Sequence, residues 1–171
     1  MKFTNARILA AVLTLAVTGS FASAGSNTGS LAPSATVTGN CTVTGSTLAF
    51  GAYDYAVTNR TANVDQTSLV TLLCTSGTVG TVRLGQGANA GTGSTDAVPA
   101  RRLVSGTDFL NYALFSDSPG GTVWGNTTAT GKVNAAGTGA NQTLTVYGRV
   151  AGGQNVPVGN YTDTVIVTVD F

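Results

Sequence analysis

The feature that most constrains the fold is a two-residue alternation of apolar residues with threonine. In the C-terminal run, Tyr161, Val165, Val167, Val169 and Phe171 fall on one face, whereas Thr162, Thr164, Thr168 and Asp170 fall on the other and Ile166 is the exception. Successive side chains of a β-strand point to opposite faces, so the odd positions should face a core. The pattern predicts half-buried antiparallel strands, and no stretch after residue 24 shows a helical period.

Similar runs recur along the chain between Gly, Asn, Ser and Asp residues, and their spacing is typical of a sandwich with Greek-key connections. The predicted strands cover residues 41–44 with 47–50, 67–75, 79–84, 101–104, 109–115, 122–124, 143–150 and 161–171. We therefore predict an all-β sandwich. The Gly- and Asn-rich stretch 85–94 has no large side chain to bury, which predicts a mobile loop.

Residues 1–24 have the composition of a secretory signal peptide. Lys2 and Arg7 give a positive start, residues 8–17 form a short apolar core, and residues 22–24 read Ala-Ser-Ala, a small-residue cleavage site. The apolar run is shorter than the roughly 20 residues that a membrane-spanning helix needs, and no basic cluster follows it. We expect an exported protein that begins at Gly25 after cleavage.

The composition excludes most kinds of catalytic and ligand-binding site. The chain has 8 Lys and Arg residues, 7 acidic residues that are all Asp, and no His. This balance gives no basic field for binding nucleic acid. Without His or Glu the chain lacks the commonest general base, the commonest metal ligand and any Ser-His or Cys-His nucleophile pair. We predict that it is not an enzyme, with no catalytic or metal-binding residues, no cofactor, no nucleic-acid partner and no small-molecule substrate.

Cys41 and Cys74 are the only cysteines. In an oxidising compartment, two cysteines are most simply one disulfide. Val70, Leu72 and Cys74 share one face of their run, so the disulfide should be buried beside apolar side chains. The two thiols are far apart in sequence and no His accompanies them, which argues against a metal site or a redox pair.

Several single residues have both a functional and a structural interpretation. A catalytic set of Asp54, Asp117 and Asp163 lacks a supporting motif, so caps of short turns are the prediction for all three. We expect Arg101 and Arg102 at a solvated strand start, although they could also pair with Asp or bind an anion. Trp124 could stack on a sugar, but it is predicted to be a core or hairpin anchor.

The segment ahead of Cys41 has a strand pattern of its own. Leu31, Pro33, Ala35 and Val37 alternate with small or polar residues after a Gly- and Ser-rich leader. An ordinary first strand or a disordered terminus would also fit. At the other end, the last apolar run has no hairpin partner after it, which predicts an open sheet edge. We expect the front segment to close such an edge in a neighbouring copy, with folding back onto its own sandwich as the alternative.

Seven short blocks then occur in an order that resembles the spore coat U domain family, which includes the major subunits of archaic chaperone-usher pili. The blocks are residues 50–54 (FGAYD), 74–78 (CTSGT), 101–103 (RRL), 110–117 (LNYALFSD), 123–125 (VWG), 144–150 (LTVYGRV) and 159–165 (GNYTDTV). Each block alone is weak, but their joint occurrence in this order is specific. The resemblance covers residues 36–171.

The resemblance implies an incomplete immunoglobulin-like β-sandwich that lacks its final strand. It implies a periplasmic chaperone that lends a strand, an outer-membrane usher, and copies of the protein itself that donate their N-terminal strands, a known mode of strand addition. The implied organisation is a signal peptide (1–24), an N-terminal extension (25–40) and a spore coat U or pilin domain (41–171). The implied site residues are the donor strand Leu31, Pro33, Ala35 and Val37, and the acceptor groove and chaperone-binding strand Val165, Val167, Val169 and Phe171.

The expected function is thus a structural subunit of a surface pilus, exported through the periplasm, that serves adhesion or biofilm formation. A self-contained secreted spore-coat or matrix protein and a carbohydrate-binding tip adhesin are the alternatives. Pro33 leaves the register of the donor strand open, because a proline in an inserted strand loses one ladder hydrogen bond.

Overall fold

The structure is a computed structural model that describes residues 24–133 and 136–171. The chain divides into two compact units, residues 1–35 and 36–171. In the first unit, the described residues 24–35 are exposed and have no regular secondary structure. Apart from Ala24, the predicted signal peptide lies outside the described residues.

The second unit contains all the strands that the structure describes. They are β1 (Cys41–Gly45), β2 (Val64–Cys74), β3 (Thr81–Leu84), β4 (Arg101–Ser105), β5 (Asp108–Phe115), β6 (Lys132–Val133), β7 (Asn141–Val150) and β8 (Val167–Asp170). Five form an antiparallel sheet in the order β1-β2-β7-β5-β4, and three form a second sheet in the order β6-β3-β8. The described ranges contain no helix, and so none long and apolar enough to cross a membrane.

The core lies between the two sheets, as the alternation predicts. The inward positions of β2 include Val70 and Leu72, which are 2% and 0% exposed. Trp124 is fully buried, and its indole Nε1 donates to the Val82 carbonyl oxygen at 2.8 Å. The predicted all-β sandwich is confirmed, and so is the role of Trp124 as a core anchor.

Some predicted strands are shorter than their patterns or absent from the described part of the chain. Residues 47–50 form no strand there, and 122–124 contribute only a single bridge between Phe115 and Val123. In the last run, ladder pairing is limited to β8. The short strand β6 was not predicted, because two residues are too few to show a period.

The disulfide is confirmed. Cys41 and Cys74 are bonded, lie opposite each other in the β1–β2 ladder with their Cα atoms 4.1 Å apart, and are 8% and 1% exposed. Two of the predicted turn caps are also confirmed. Asp54 accepts hydrogen bonds from the backbone N–H groups of Ala56 and Val57, and Asp117 accepts one from that of Thr122.

The prediction of a solvated Arg101 is wrong. This residue is 1% exposed, and its guanidinium donates to the carbonyl oxygens of Gly85, Leu84 and Trp124 at 2.7–2.8 Å. Burial lowers the pKa of Arg101 to about 10, since removing the cation from water disfavours its charged form. The end of β3 with the following Gly85, and Trp124 from another part of the chain, present carbonyl oxygens to the same point, and this convergence accommodates the cation in the interior.

Arg102 is half-buried rather than solvated. Its guanidinium lies over the Phe109 ring, 3.9 Å from the centroid, and donates to the carbonyl oxygens of Asn89 and Ala90. The stretch 85–94, which we call the clamp loop, has no strand, as predicted. Its backbone is nevertheless held in place by hydrogen bonds from both arginines.

Candidate strand-acceptor groove

A groove opens between the two sheets where the edges formed by β1 and β8 approach each other. In the described chain, β1 pairs only with β2, and β8 pairs only with β3. The sandwich is closed where β1 ends and β8 begins, since a Cβ added at Gly45 would lie 3.3 Å from a methyl carbon of Val167. On one side of this closure the groove runs between residues 46–50 and residues 161–167, which we call the wall segment and the acceptor edge.

The groove has two connected hollows. The first hollow has a volume of about 560 Å³ and reaches core side chains such as Val70, Leu84 and Val146. The second has a volume of about 990 Å³ and lies between residues 47–56 and 155–163. The residues that line both hollows are Thr47, Leu48, Phe50, Leu103 and Asp163. Half-buried apolar side chains such as those of Leu48 and Phe50 thus line a continuous channel.

The acceptor edge offers unpaired backbone groups to this channel. The carbonyl oxygens of Thr164 and Ile166 accept hydrogen bonds from the clamp loop, from the N–H groups of Ala88 at 3.0 Å and Gly85 at 2.8 Å. Backbone groups of successive residues in an extended segment point to opposite sides, so those of the odd-numbered residues face the groove. An added strand would therefore find both an apolar floor and hydrogen-bonding groups.

Two of the four predicted acceptor residues line the groove. Val165 and Val167 border the first hollow and are half-buried against the core. Val169 also packs against the core but does not line either hollow. The predicted core-facing position of Phe171 is wrong, since this residue is 60% exposed. The β3–β8 ladder ends with Asp170 opposite Thr81, so Phe171 lies beyond the paired strands.

The wall segment rests on a glycine that the sequence pattern did not single out. A Cβ added at Gly148 in β7 would lie 2.6 Å from a methyl carbon of Leu48 and 2.9 Å from the Phe50 ring. The Phe50 ring in turn packs edge-on against Tyr112, with 5.8 Å between centroids. A glycine inside a strand pattern is the signal that could have found this position, because it often marks a close approach.

Replacing Gly148 with valine should displace Leu48 and Phe50 and distort the wall segment. Overpacking of this kind typically costs about 1–3 kcal/mol of stability. We expect a lower midpoint in urea unfolding and a lower affinity of the groove for an added strand. Thr143→Val, an exposed position in the same strand, is the control and should leave both quantities unchanged. Equal behaviour of the two variants would contradict this account of the wall.

Asp163 is the charged residue that borders both hollows. Its Oδ2 accepts a hydrogen bond from the Tyr112 hydroxyl at 2.7 Å, and its Oδ1 accepts from the Ala88 N–H at 3.0 Å. Burial and the neighbouring carboxylate raise the pKa of Tyr112, so this hydroxyl stays protonated and remains a donor. The prediction of a cap of a short turn is wrong for Asp163, since its carboxylate binds the clamp loop 75 positions away and Tyr112 in the five-stranded sheet.

The predicted donor residues are all exposed. Leu31 and Val37 are 92% and 82% exposed, and Pro33 and Ala35 belong to the same exposed class. The described residues 24–40 form no strand. The last residue before β1, Asn40, continues the β1–β2 pairing by accepting a hydrogen bond from the Thr75 N–H at 2.9 Å. Large apolar side chains that alternate in an exposed segment suit a strand that is buried elsewhere.

The charged groups of the chain lie mostly away from the groove. Within residues 24–133 and 136–171, no three His, Cys, Asp or Glu side chains lie close enough together to hold a metal ion. The ion pairs Arg83–Asp170 and Arg149–Asp65 involve residues that do not line either hollow. In each pair, a hydrogen bond from the arginine lowers the pKa of the carboxyl group. The groove is therefore suited to binding an apolar strand.

Comparisons with known proteins show what this chain is similar to. A family model described as the Spore Coat Protein U domain matches residues 27–168. Protein U of Myxococcus xanthus is 40% identical over 158 residues, which cover 88% of each chain.

Among solved structures, a chain in the crystal structure of the CsuC–CsuE chaperone–tip adhesion subunit pre-assembly complex, from archaic chaperone-usher Csu pili of Acinetobacter baumannii, has a similar fold. The TM-score is 0.56 at 24% identity, and the match covers 80% of this chain. This chain spans 40% of the length of that one. The likeness in fold confirms the predicted immunoglobulin-like class. Because the family match extends over most of the sequence, the chain belongs to the Spore Coat Protein U domain family.

Proposed function

We propose that this protein is a structural subunit of a chaperone-usher surface pilus and polymerises by donor-strand exchange. The Leu31–Val37 segment of one copy would enter the groove of the next copy. The observation that carries the proposal is the presence, in one chain, of an open apolar groove and an exposed segment with alternating apolar residues. Each would remove from water the apolar surface that the other leaves exposed.

The donor segment and the acceptor edge match in length. Both span seven residues, and the four alternating donor positions correspond in number to the four odd positions of residues 161–167. Burying Leu31 and Val37 would contribute about 1.5–3 kcal/mol each, and each backbone hydrogen bond about 1 kcal/mol net. Association costs on the order of 4–15 kcal/mol, so these contacts alone would give a moderate complex.

Durable fibres need more than these contacts. An inserted strand would complete the packing of half-buried groove residues such as Leu48, Phe50 and Val165, so its release would require the host sandwich to open. Slow release is then a kinetic property of the filled subunit. Pro33 would cost the inserted segment one ladder hydrogen bond, because proline has no N–H to donate.

The other proposed partners, a chaperone and an usher, would act at the same acceptor edge. The structural neighbour comes from a complex of a chaperone with a tip adhesion subunit before assembly. We extend this arrangement to the present chain, with a periplasmic chaperone that lends a strand to the groove, an outer-membrane usher where exchange takes place, and a fibre at the cell surface. The proposed role of the fibre is adhesion or biofilm formation, without catalysis or a cofactor.

Removing the donor should abolish polymers. Deletion of residues 25–38 is expected to leave a chaperone-bound monomer, because the groove is intact but no copy can donate. The double variant Leu31→Asp, Val37→Asp should behave in the same way, since two charges would enter an apolar channel. The measurement is the ladder of SDS-resistant bands in unboiled samples, which should collapse to one monomer band.

The matched control is Ser34→Asp, Thr36→Asp, which adds the same charges at the intervening positions of the segment. These side chains would face away from the groove, so the ladder should persist. A full chain that stays monomeric and is unaffected by deletion of residues 25–38 would contradict donation and favour a self-contained coat or matrix protein.

A further inference from the structure

The acceptor edge is fastened near its centre, at Asp163. Asp163 borders both hollows, and its carboxylate receives hydrogen bonds from two different parts of the fold. Oδ2 accepts from the Tyr112 hydroxyl at 2.7 Å. Oδ1 accepts from the Ala88 N–H at 3.0 Å, the Asn89 N–H at 3.3 Å and the Asn89 side-chain amide at 3.1 Å. The carboxylate is therefore surrounded by donors before any strand arrives.

These bonds connect three elements. Tyr112 belongs to β5 in the five-stranded sheet, whereas Ala88 and Asn89 belong to the clamp loop. The same loop holds the acceptor edge through the carbonyl oxygens of Thr164 and Ile166. Asp163 therefore links the acceptor edge to the five-stranded sheet and to the loop through its side chain, beside the backbone pair that Thr162 forms with Val104 of β4.

The conformation of the clamp loop allows it to contact the Asp163 carboxylate. Gly87 has a φ of +88°, a conformation that favours glycine, and a Cβ added there would collide with the Asp163 carboxylate. On its other side the loop is held by Arg101, through the Gly85 carbonyl oxygen, and by Arg102, through that of Asn89. A glycine-rich stretch that looks featureless in the sequence thus has a fixed place beside the groove.

An edge without its neighbouring strand has unpaired backbone groups and would open locally at low cost. Holding such an edge in its bound conformation lowers the free-energy cost of ordering it when a partner binds. We propose that Asp163, together with Tyr112 and Asn89, is a positioning cluster that keeps the acceptor edge extended and the groove open for the incoming donor strand. This inference rests on the proposed function.

The test uses the mature full chain with Leu31→Asp and Val37→Asp, which cannot donate but can still accept. The probe is a synthetic peptide of residues 27–38. Tyr112→Phe removes one hydrogen bond to Asp163 and keeps the ring that packs on Phe50. We expect at least a tenfold loss of peptide affinity, and faster amide hydrogen exchange at Val165 and Val167 in the empty protein. In the peptide-bound protein, exchange at these amides should be close to that of the parent.

Asn89→Ala gives a second variant with a smaller change in the interior, and it should shift affinity and exchange in the same direction. Tyr147→Phe, on the opposite face of the five-stranded sheet, is the control and should change neither. A purely structural role predicts lower thermal stability with unchanged affinity and unchanged exchange at Val165 and Val167, and this result would overturn the inference. If the parent itself fails to bind the peptide, the proposed function fails and the inference with it.

Discussion

Replacing Arg101 with methionine is expected to lower the free energy of unfolding by at least about 3 kcal/mol. The guanidinium satisfies the carbonyl oxygens of Leu84, Gly85 and Trp124. A buried acceptor that loses its partner costs about 1–3 kcal/mol, and three acceptors lose theirs together. Methionine has a similar reach and keeps the apolar contacts, so the loss reports the hydrogen bonds rather than a large cavity.

Urea unfolding of the non-donating Leu31→Asp, Val37→Asp chain measures this effect without polymerisation. Arg102→Met is the matched control, because Arg102 is half-buried and binds two carbonyl oxygens of the clamp loop only. We expect the control to lose clearly less stability. Equal losses at the two positions would show that burial of Arg101 has no special importance for the fold.

Removing the disulfide is expected to have an effect of similar size. Cys41 and Cys74 are separated by 33 positions, and closing a loop of this length restricts the unfolded chain by roughly 3–4 kcal/mol. The double variant Cys41→Ala, Cys74→Ala should lose about this amount in urea unfolding of the same non-donating chain. Alanine avoids the additional cost of a buried hydroxyl, which serine would introduce.

The non-donating chain with both cysteines present and its disulfide reduced by a thiol reagent is the control for the double variant. Both should unfold at nearly the same urea concentration, because both lack the same constraint on the unfolded chain. A loss below about 1 kcal/mol in the double variant would contradict the loop-closure argument.

The sequence predicted which way side chains face more reliably than which strands pair. Leu48 and Phe50 follow the alternation and pack against the core, yet residues 47–50 form no ladder in the described chain. The alternation depends only on the local chain, whereas a ladder needs a neighbouring strand. Beside residues 47–50, the groove lies where a neighbouring strand would pair. The alternation therefore predicted the direction of the side chains correctly and the strand incorrectly.

The buried polar groups could not be predicted in the same way. Arginine is almost never fully buried, and only the folded chain brings three carbonyl oxygens to Arg101. Tyr112 and Asp163 are 51 positions apart and belong to different parts of the sandwich. No local pattern records such a contact. Val165 and Val167 were identifiable because apolar alternation is a local property, and the donor assignment of Leu31–Val37 stays a prediction.

The position of the disulfide has a mechanical consequence for the proposed fibre. Tension on an inserted segment would enter the subunit at Asn40 and reach Cys41, the first residue of β1. From there a covalent bond leads directly to Cys74 in β2, which pairs with β7 along its length. Force would thus pass from the edge strand β1 into the inner strand β2 without breaking the β1 hydrogen bonds one by one. The hydrogen bonds of the sheet would therefore be loaded together, rather than broken one after another from the edge.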